Sequence, residues 1–198
     1  MKHLTQVNAL ATAFLVALFV TACAKSFDMS SERLTPLGPE WGVVIGSVLV
    51  TPVKEDTGKS RDGSDMTYQF EIVQSQPGDP EGETPYAERY RLESKAGEER
   101  VFISRLRTGR YLIRSFAQDR VAGKGGDLGL VFDSMAGEVR YIGRLRIEVP
   151  QRVSRGKEYR FAVENARDET LKTVAAQHPE LVKQVVDVPM QSLEEPVR

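Results

Sequence analysis

Between Trp41 and about Asn165 the apolar residues come in short runs that alternate with polar ones, broken by clusters of Gly, Pro, Asp and Ser. A period of two puts successive side chains on opposite faces, which suits a half-buried strand and not a helix. The segment Glu138–Val149 shows the pattern most clearly. Val139, Tyr141, Gly143, Leu145, Ile147 and Val149 fall on one face, and Arg140, Ile142, Arg144, Arg146 and Glu148 on the other. One face is therefore expected in the core and the other mostly in water. Val43–Thr51, Thr67–Gln74, Tyr86–Glu93, Arg100–Arg105, Arg110–Ala117, Leu128–Ser134 and Glu158–Glu164 read as strands on the same grounds. About eight strands at such spacing predict a mainly β fold, an antiparallel β-sandwich.

The link Ser134-Met135-Ala136-Gly137 is short enough to make the strands on either side a hairpin, with Gly137 free to take a positive φ. Lys54–Met66 and Gln76–Pro85, rich in Gly, Pro and acid, read as loops. After Asn165 the period changes. Asn165 or Asp168 can cap a helix carrying Leu171, Val174 and Ala175 on one side, and Pro179 interrupts it. A second helical piece from Pro179 to about Val186 has Leu181, Val182 and Val185 on one face, and both pieces are expected to pack against the sheet. The expected layout is a sandwich over 41–165, a short C-terminal helical segment over 166–186 and a frayed tail over 187–198.

At the other end, Lys2 and His3 precede an apolar run from Ala9 to Val20 that contains no acidic residue and leads into Thr21-Ala22-Cys23. A charged start, about a dozen apolar residues and small residues at a cleavage point predict a signal peptide over 1–22. The run is too short for a bilayer core, which takes roughly 20 apolar residues. Val20-Thr21-Ala22-Cys23 resembles the lipobox of bacterial lipoproteins. That resemblance, confined to residues 1–23, implies a diacylglyceryl group on Cys23 and a membrane anchor. Ala24 rather than Asp after the cysteine is similar to the pattern sorted to the outer membrane of a Gram-negative cell, facing the periplasm. Cys23 is the single cysteine, so no disulfide can staple the chain and a hydrophobic core must hold it. Residues 23–40, with Ser30, Ser31, Pro36, Gly38 and Pro39, read as a flexible tether.

A second resemblance lies in the sandwich. Leu106-Arg107-Thr108-Gly109-Arg110-Tyr111 and Gly137-Glu138-Val139-Arg140-Tyr141-Ile142-Gly143 look like a Leu-x-x-Gly-x-Tyr turn and a Gly-Glu-x-x-Tyr-Ile-Gly strand. Both resemble bacterial lipoproteins with a prealbumin-like or carboxypeptidase-regulatory-like β-sandwich, although Thr108 stands where that family usually has Pro. The resemblance implies a fold over about residues 41–150 and no catalytic residue.

Few enzyme chemistries fit the composition. Of the two histidines, His3 lies in the signal segment and His178 in the helical tail, so a nucleophile with a histidine base has one candidate base and the sole cysteine is the lipid site. The same counts exclude a zinc site of the usual His and Cys type, and no cofactor is expected. Asp56, Asp62 and Asp65 lack the ligand spacing of a calcium loop, and Gly123-Lys124-Gly125-Gly126 lacks the pattern of a phosphate-binding loop.

Charge is more informative. Residues 100–160 hold 14 basic against 6 acidic residues, whereas residues 23–99 hold 8 against 15. Arg140, Arg144 and Arg146, which alternation puts on one face of one strand, with Arg114 on a possible neighbour, are the candidates for meeting an anionic partner. Cross-strand pairing with the acidic half is the alternative. The expected function is a lipid-anchored, non-enzymatic binding or assembly module of the cell envelope. Its expected partners are the membrane, through Cys23, and an anionic envelope component or protein, with no role for nucleic acid. Rival classes are an envelope enzyme using carboxylates, as in glycan hydrolysis, and a structural accessory subunit that docks through its C-terminal helices.

Overall fold

The computed structural model describes residues 24–28, 38–53, 66–81, 83–84, 87–118, 125–150 and 159–193. The signal segment, Cys23, the Asp56, Asp62 and Asp65 loop, and Gly123-Lys124 lie outside the described residues.

Two sheets form a sandwich. The first runs in the order β1 (Lys25–Ser26), β4 (Arg89–Lys95), β3 (Thr67–Gln74), β6 (Gly109–Gln118), β7 (Gly125–Ser134), β11 (Gln191–Ser192). The second runs β10 (Val185–Asp187), β8 (Val139–Pro150), β2 (Trp41–Val53), β5 (Glu99–Arg107), with β9 (Arg160–Glu164) also on β8. The eight strands expected from alternation are all present, and three short terminal ones join them. Pairing is antiparallel through most of the first sheet, but β2 and β8, the central pair of the second, are parallel, as are β1 with β4 and β10 with β8. The sandwich interior is lined by Val44, Phe70, Phe102, Tyr111, Ile142 and Leu145 among others.

The hairpin expected across Ser134–Gly137 does not form, because β7 and β8 belong to different sheets. The link is an arch: the Ser134 hydroxyl donates to the Leu106 carbonyl across the gap, and the Gly137 N–H donates to the Trp41 carbonyl at 2.9 Å. Gly137 does take a positive φ of 73°. The cause lies in burial. β7 alternates between buried and half-exposed positions, whereas Tyr141 and Ile142, adjacent on β8, are both buried. A strand apolar on both sides belongs at the centre of a sheet covered on both faces.

That adjacency also corrects the expected faces. The β2–β8 register slips between Ile45 and Ser47, with Ile45 opposite Tyr141 and Ser47 opposite Arg144. One extra residue on β8 makes a bulge, and Gly143 at φ 95° supplies a backbone conformation that a side chain would resist. The bulge shifts the alternation by one. Tyr141 therefore does not share a face with Leu145. It lies under the helices with Val43, Ile45 and Ile103, while Ile142, expected in water, is in the sandwich core.

The outer face of the second sheet is roofed by α1 (Arg167–Ala175) and a 3-10 turn η1 (Leu181–Gln184), whose Leu171, Val174 and Leu181 close the smaller apolar cluster. The Ala166 N–H donates to the Tyr141 hydroxyl at 3.0 Å, fixing the entry to α1. The cap position is held by Ala166 and not by Asn165 or Asp168 as expected: Asn165 precedes it and accepts from the Arg167 N–H at 3.2 Å, and Asp168 lies inside the first turn.

Both ends of the chain depart from expectation. Residues 25–28 are no tether: β1 pairs with β4, and Phe27 is 1% exposed in the main core. Residues 187–192 are no frayed tail: β10 lies on β8, β11 lies on β7, and Met190 between them is buried in the main core.

Candidate functional site

The two motifs of the sandwich turn out to be architectural. Leu106-x-x-Gly109-x-Tyr111 carries the chain from the second sheet to the first, and the buried Tyr111 donates its hydroxyl hydrogen back to the Arg107 carbonyl at 3.0 Å. Gly137, Tyr141 and Gly143 of the second motif make the arch, the helix-side core and the bulge in turn.

The arginines singled out in the sequence are separated by the same bulge. Arg144 and Arg146 lie on the helix side of β8, whereas Arg140, before the bulge, points to the opposite side with Ile142. Arg114 lies on β6, in the other sheet. Arg144 is the most heavily engaged. Its Nε and Nη2 bind Glu99 of β5 in two bonds of 2.9 Å, Glu164 of β9 lies 3.8 Å away, and Glu169 of α1 closes the ring. Burial works against its charge, but Glu99 and Glu169 outweigh that and raise its pKa. Arg146 pairs with Glu148 at 3.1 Å and Glu164 at 3.3 Å. Arg140 pairs with Glu138 at 2.8 Å and donates to the Asp133 carbonyl. Such planar, multiply bonded guanidinium groups fix geometry as much as they add energy. Here Arg144 ties α1 to β5 and β8, Arg146 reinforces the pairing of β9 with β8, and Arg140 holds the start of β8 to the end of β7.

A different pair of arginines flanks an aromatic ring. Trp41 opens β2 opposite Arg107 of β5, and the guanidinium carbons of Arg105 and Arg107 lie 4.9 and 5.6 Å from its ring centroid. Cation–π contacts of this kind contribute about 0.5–1 kcal/mol at exposed sites. The Trp41 ring is half-buried, and the Arg105 Nε is buried with no hydrogen-bond partner. Sequence reading used Trp41 only as a domain boundary. The signal it missed was Arg105 and Arg107 in alternation on the strand that faces it.

The N-terminal strap forms the third constellation. Phe27 sits among the rings of Phe102, Tyr90 and Phe132 with centroids 5.3, 6.0 and 6.2 Å away, all edge-on. Its carbonyl accepts from the buried Ser104 hydroxyl, and Asp28 pairs with Arg100 on β5. At the outer end Lys25 pairs with Glu88 at 3.1 Å, and the Tyr90 hydroxyl donates to the same carboxylate at 2.6 Å. The Tyr90 bond holds the Glu88 carboxyl below its usual pKa against the opposing effect of burial, with help from Lys25. Burial first, then the Glu88 bond, pushes the Tyr90 phenol well above its usual range. Among the described residues no group of three His, Cys, Asp or Glu side chains could hold a metal ion, and no helix is long and apolar enough to cross a membrane.

Fold and surface thus define a two-sheet sandwich whose open seams are closed by its own terminal segments. No family model matches the chain, and no curated protein matches it. Among solved structures it is similar to the T6SS lipoprotein TssJ1 from Pseudomonas aeruginosa, at 14% identity over 66% of this chain and 99% of that one, with a TM-score of 0.32. At that score and identity the similarity carries no argument about function.

Proposed function

We propose that this chain is a lipid-anchored, non-enzymatic binding or assembly module of the bacterial cell envelope, held against the membrane by lipid on Cys23. The observation that carries the reading is the seat of residues 25–28. Only Ala24 separates the lipobox cysteine from β1, so a lipid there would hold the sandwich at the bilayer surface instead of on a leash. Two or more acyl chains give stable anchoring where one does not, at roughly 0.8 kcal/mol per buried methylene. Ala24 in place of Asp after the cysteine supports outer-membrane sorting in a Gram-negative cell, facing the periplasm. The partner-facing surface is the Trp41, Arg105 and Arg107 patch, since Arg140, Arg144 and Arg146 are held by carboxylates of the same chain. An aromatic ring between two guanidinium groups suits an acidic protein or anionic envelope polymer.

Replacing Cys23 by Ser tests the anchor. The variant should appear in the soluble fraction of the envelope. Normal processing together with retention in the membrane after a high-salt wash would sink the reading.

A further inference from the structure

β1 covers only Tyr90 and Arg91 of the β4 edge before the strap turns away at Phe27 toward β5. Below it, residues 92–95 of β4 and the start of β5 line a cleft of about 570 Å³ among the described residues, which Ala24 also lines. A volume of that order accommodates a small ligand. Several charges in its wall are already neutralised: Asp28 by Arg100, Glu98 by Lys95, and Glu99 by Arg144. Two are not. Among the described residues Arg91 makes no ion pair, since Glu71 across the strand is taken by Arg89 at 2.8 Å. Glu93 meets no cation either and accepts only from the Gln69 amide at 3.3 Å. Arg91 and Glu93 are both exposed on the outward side of β4, two residues and so about 7 Å apart. A third group is unsatisfied: Ser94 lines the cleft, is 2% exposed, and its hydroxyl has no partner. A buried polar group of this kind is costly unless something binds it.

An uncompensated cation and an uncompensated anion side by side complement a ligand carrying both charges. We propose that this cleft binds a phosphate ester bearing an ammonium group, of the phosphoethanolamine type, with the phosphate at Arg91 and the ammonium at Glu93. Guanidinium binds phosphate with paired, charge-assisted hydrogen bonds, and a carboxylate binds an ammonium likewise. The source is the headgroup of a zwitterionic phospholipid. This part rests on the anchor reading, because a lipid on Cys23 would place the cleft, lined by the very next residue, at the headgroup layer.

The test titrates the full processed chain in nonionic detergent with glycerophosphoethanolamine, glycerophosphoglycerol and inorganic phosphate, following backbone amide resonances. Saturable shifts in residues 24–28 and 91–95 are expected with the ethanolamine ester, at an affinity about tenfold above the other two. Arg91→Gln and Glu93→Gln, both on the surface, should each lower it about tenfold while leaving the remaining spectrum unchanged. Equal affinity for all three compounds, or no effect of either charge variant, would overturn the proposal. Nanodiscs containing phosphatidylethanolamine should shift the same residues, and pure phosphatidylglycerol nanodiscs should not. Binding of the free ester without the nanodisc response would overturn the membrane source and retain the site. The Cys23→Ser chain should give the same titration, so failure of the anchor reading and failure of the cleft are separable.

Discussion

The two ends of the chain do the same task by different physical means. Residues 25–28 close the seam between β4 and β5 mainly with one large side chain: Phe27 enters the core against three rings, and the parallel pairing beside it is two residues long. Residues 185–193 close the opposite seam between β8 and β7 mainly with backbone. Val188 and Met190 donate to the Tyr141 and Ile142 carbonyls at 2.9 Å, Leu193 donates to Gly129 at 2.7 Å, and Met190 is the side chain buried. Val186 and Leu193 stay 47% and 44% exposed. An anchor concentrated in one ring is vulnerable to one substitution. A zipper of main-chain bonds is not.

The largest expected effect follows from that contrast. Phe27→Ala should cost about 3–5 kcal/mol in a denaturant titration of the purified protein, as other buried Phe truncations do. A loss under about 1 kcal/mol would show that the strap is laid over a core complete without it. Met190→Ala should cost less, near the low end of about 2–5 kcal/mol for Met truncation, because the neighbouring backbone bonds remain. If it equalled Phe27→Ala, the zipper description would fail. Val186→Ala should change stability by no more than about 0.5 kcal/mol.

A local effect is expected in acid. Glu88 has its carboxyl pKa lowered in the fold, so the stability it adds is present above its unfolded value and fades as pH falls through the folded one. Its bond to Lys25 braces the N-terminal strap, while its bond to Tyr90 lies at the start of β4, and with Lys25 largely exposed the strap bond contributes at most about 1 kcal/mol. Below about pH 4 the Phe27 amide should therefore lose hydrogen-exchange protection before the Met190 amide, and Glu88→Gln should abolish that difference in timing.

What alternation can reveal, it revealed: β3 falls on the expected Thr67–Gln74, and the other long strands lie within a few residues of their expected bounds. β1, β10 and β11 are two or three residues long, too short to show a period, and their pairing comes from partners far along the chain. The face reversal on β8 had one visible sign, the adjacent apolar pair Tyr141-Ile142 before Gly143, which strict alternation treats as a single misfit. The arginines were legible as a charge cluster, but their partners were not. Glu99, Glu164 and Glu169 reach Arg144 from three separate elements, and no local pattern links them.

The parallel pairing of β2 with β8 has a temporal consequence. Val44 meets Arg140 across it, so the centre of the second sheet cannot assemble until most of the chain is present. Folds dominated by such distant pairings close slowly, in about milliseconds to seconds. During that interval Phe27 has no seat, since Tyr90, Phe102 and Phe132 all follow it in the chain. For a chain crossing a membrane N-terminus first, residues 24–28 would emerge earliest and dock late. Residues 24–28 would then stay accessible until the sandwich closes over Phe27.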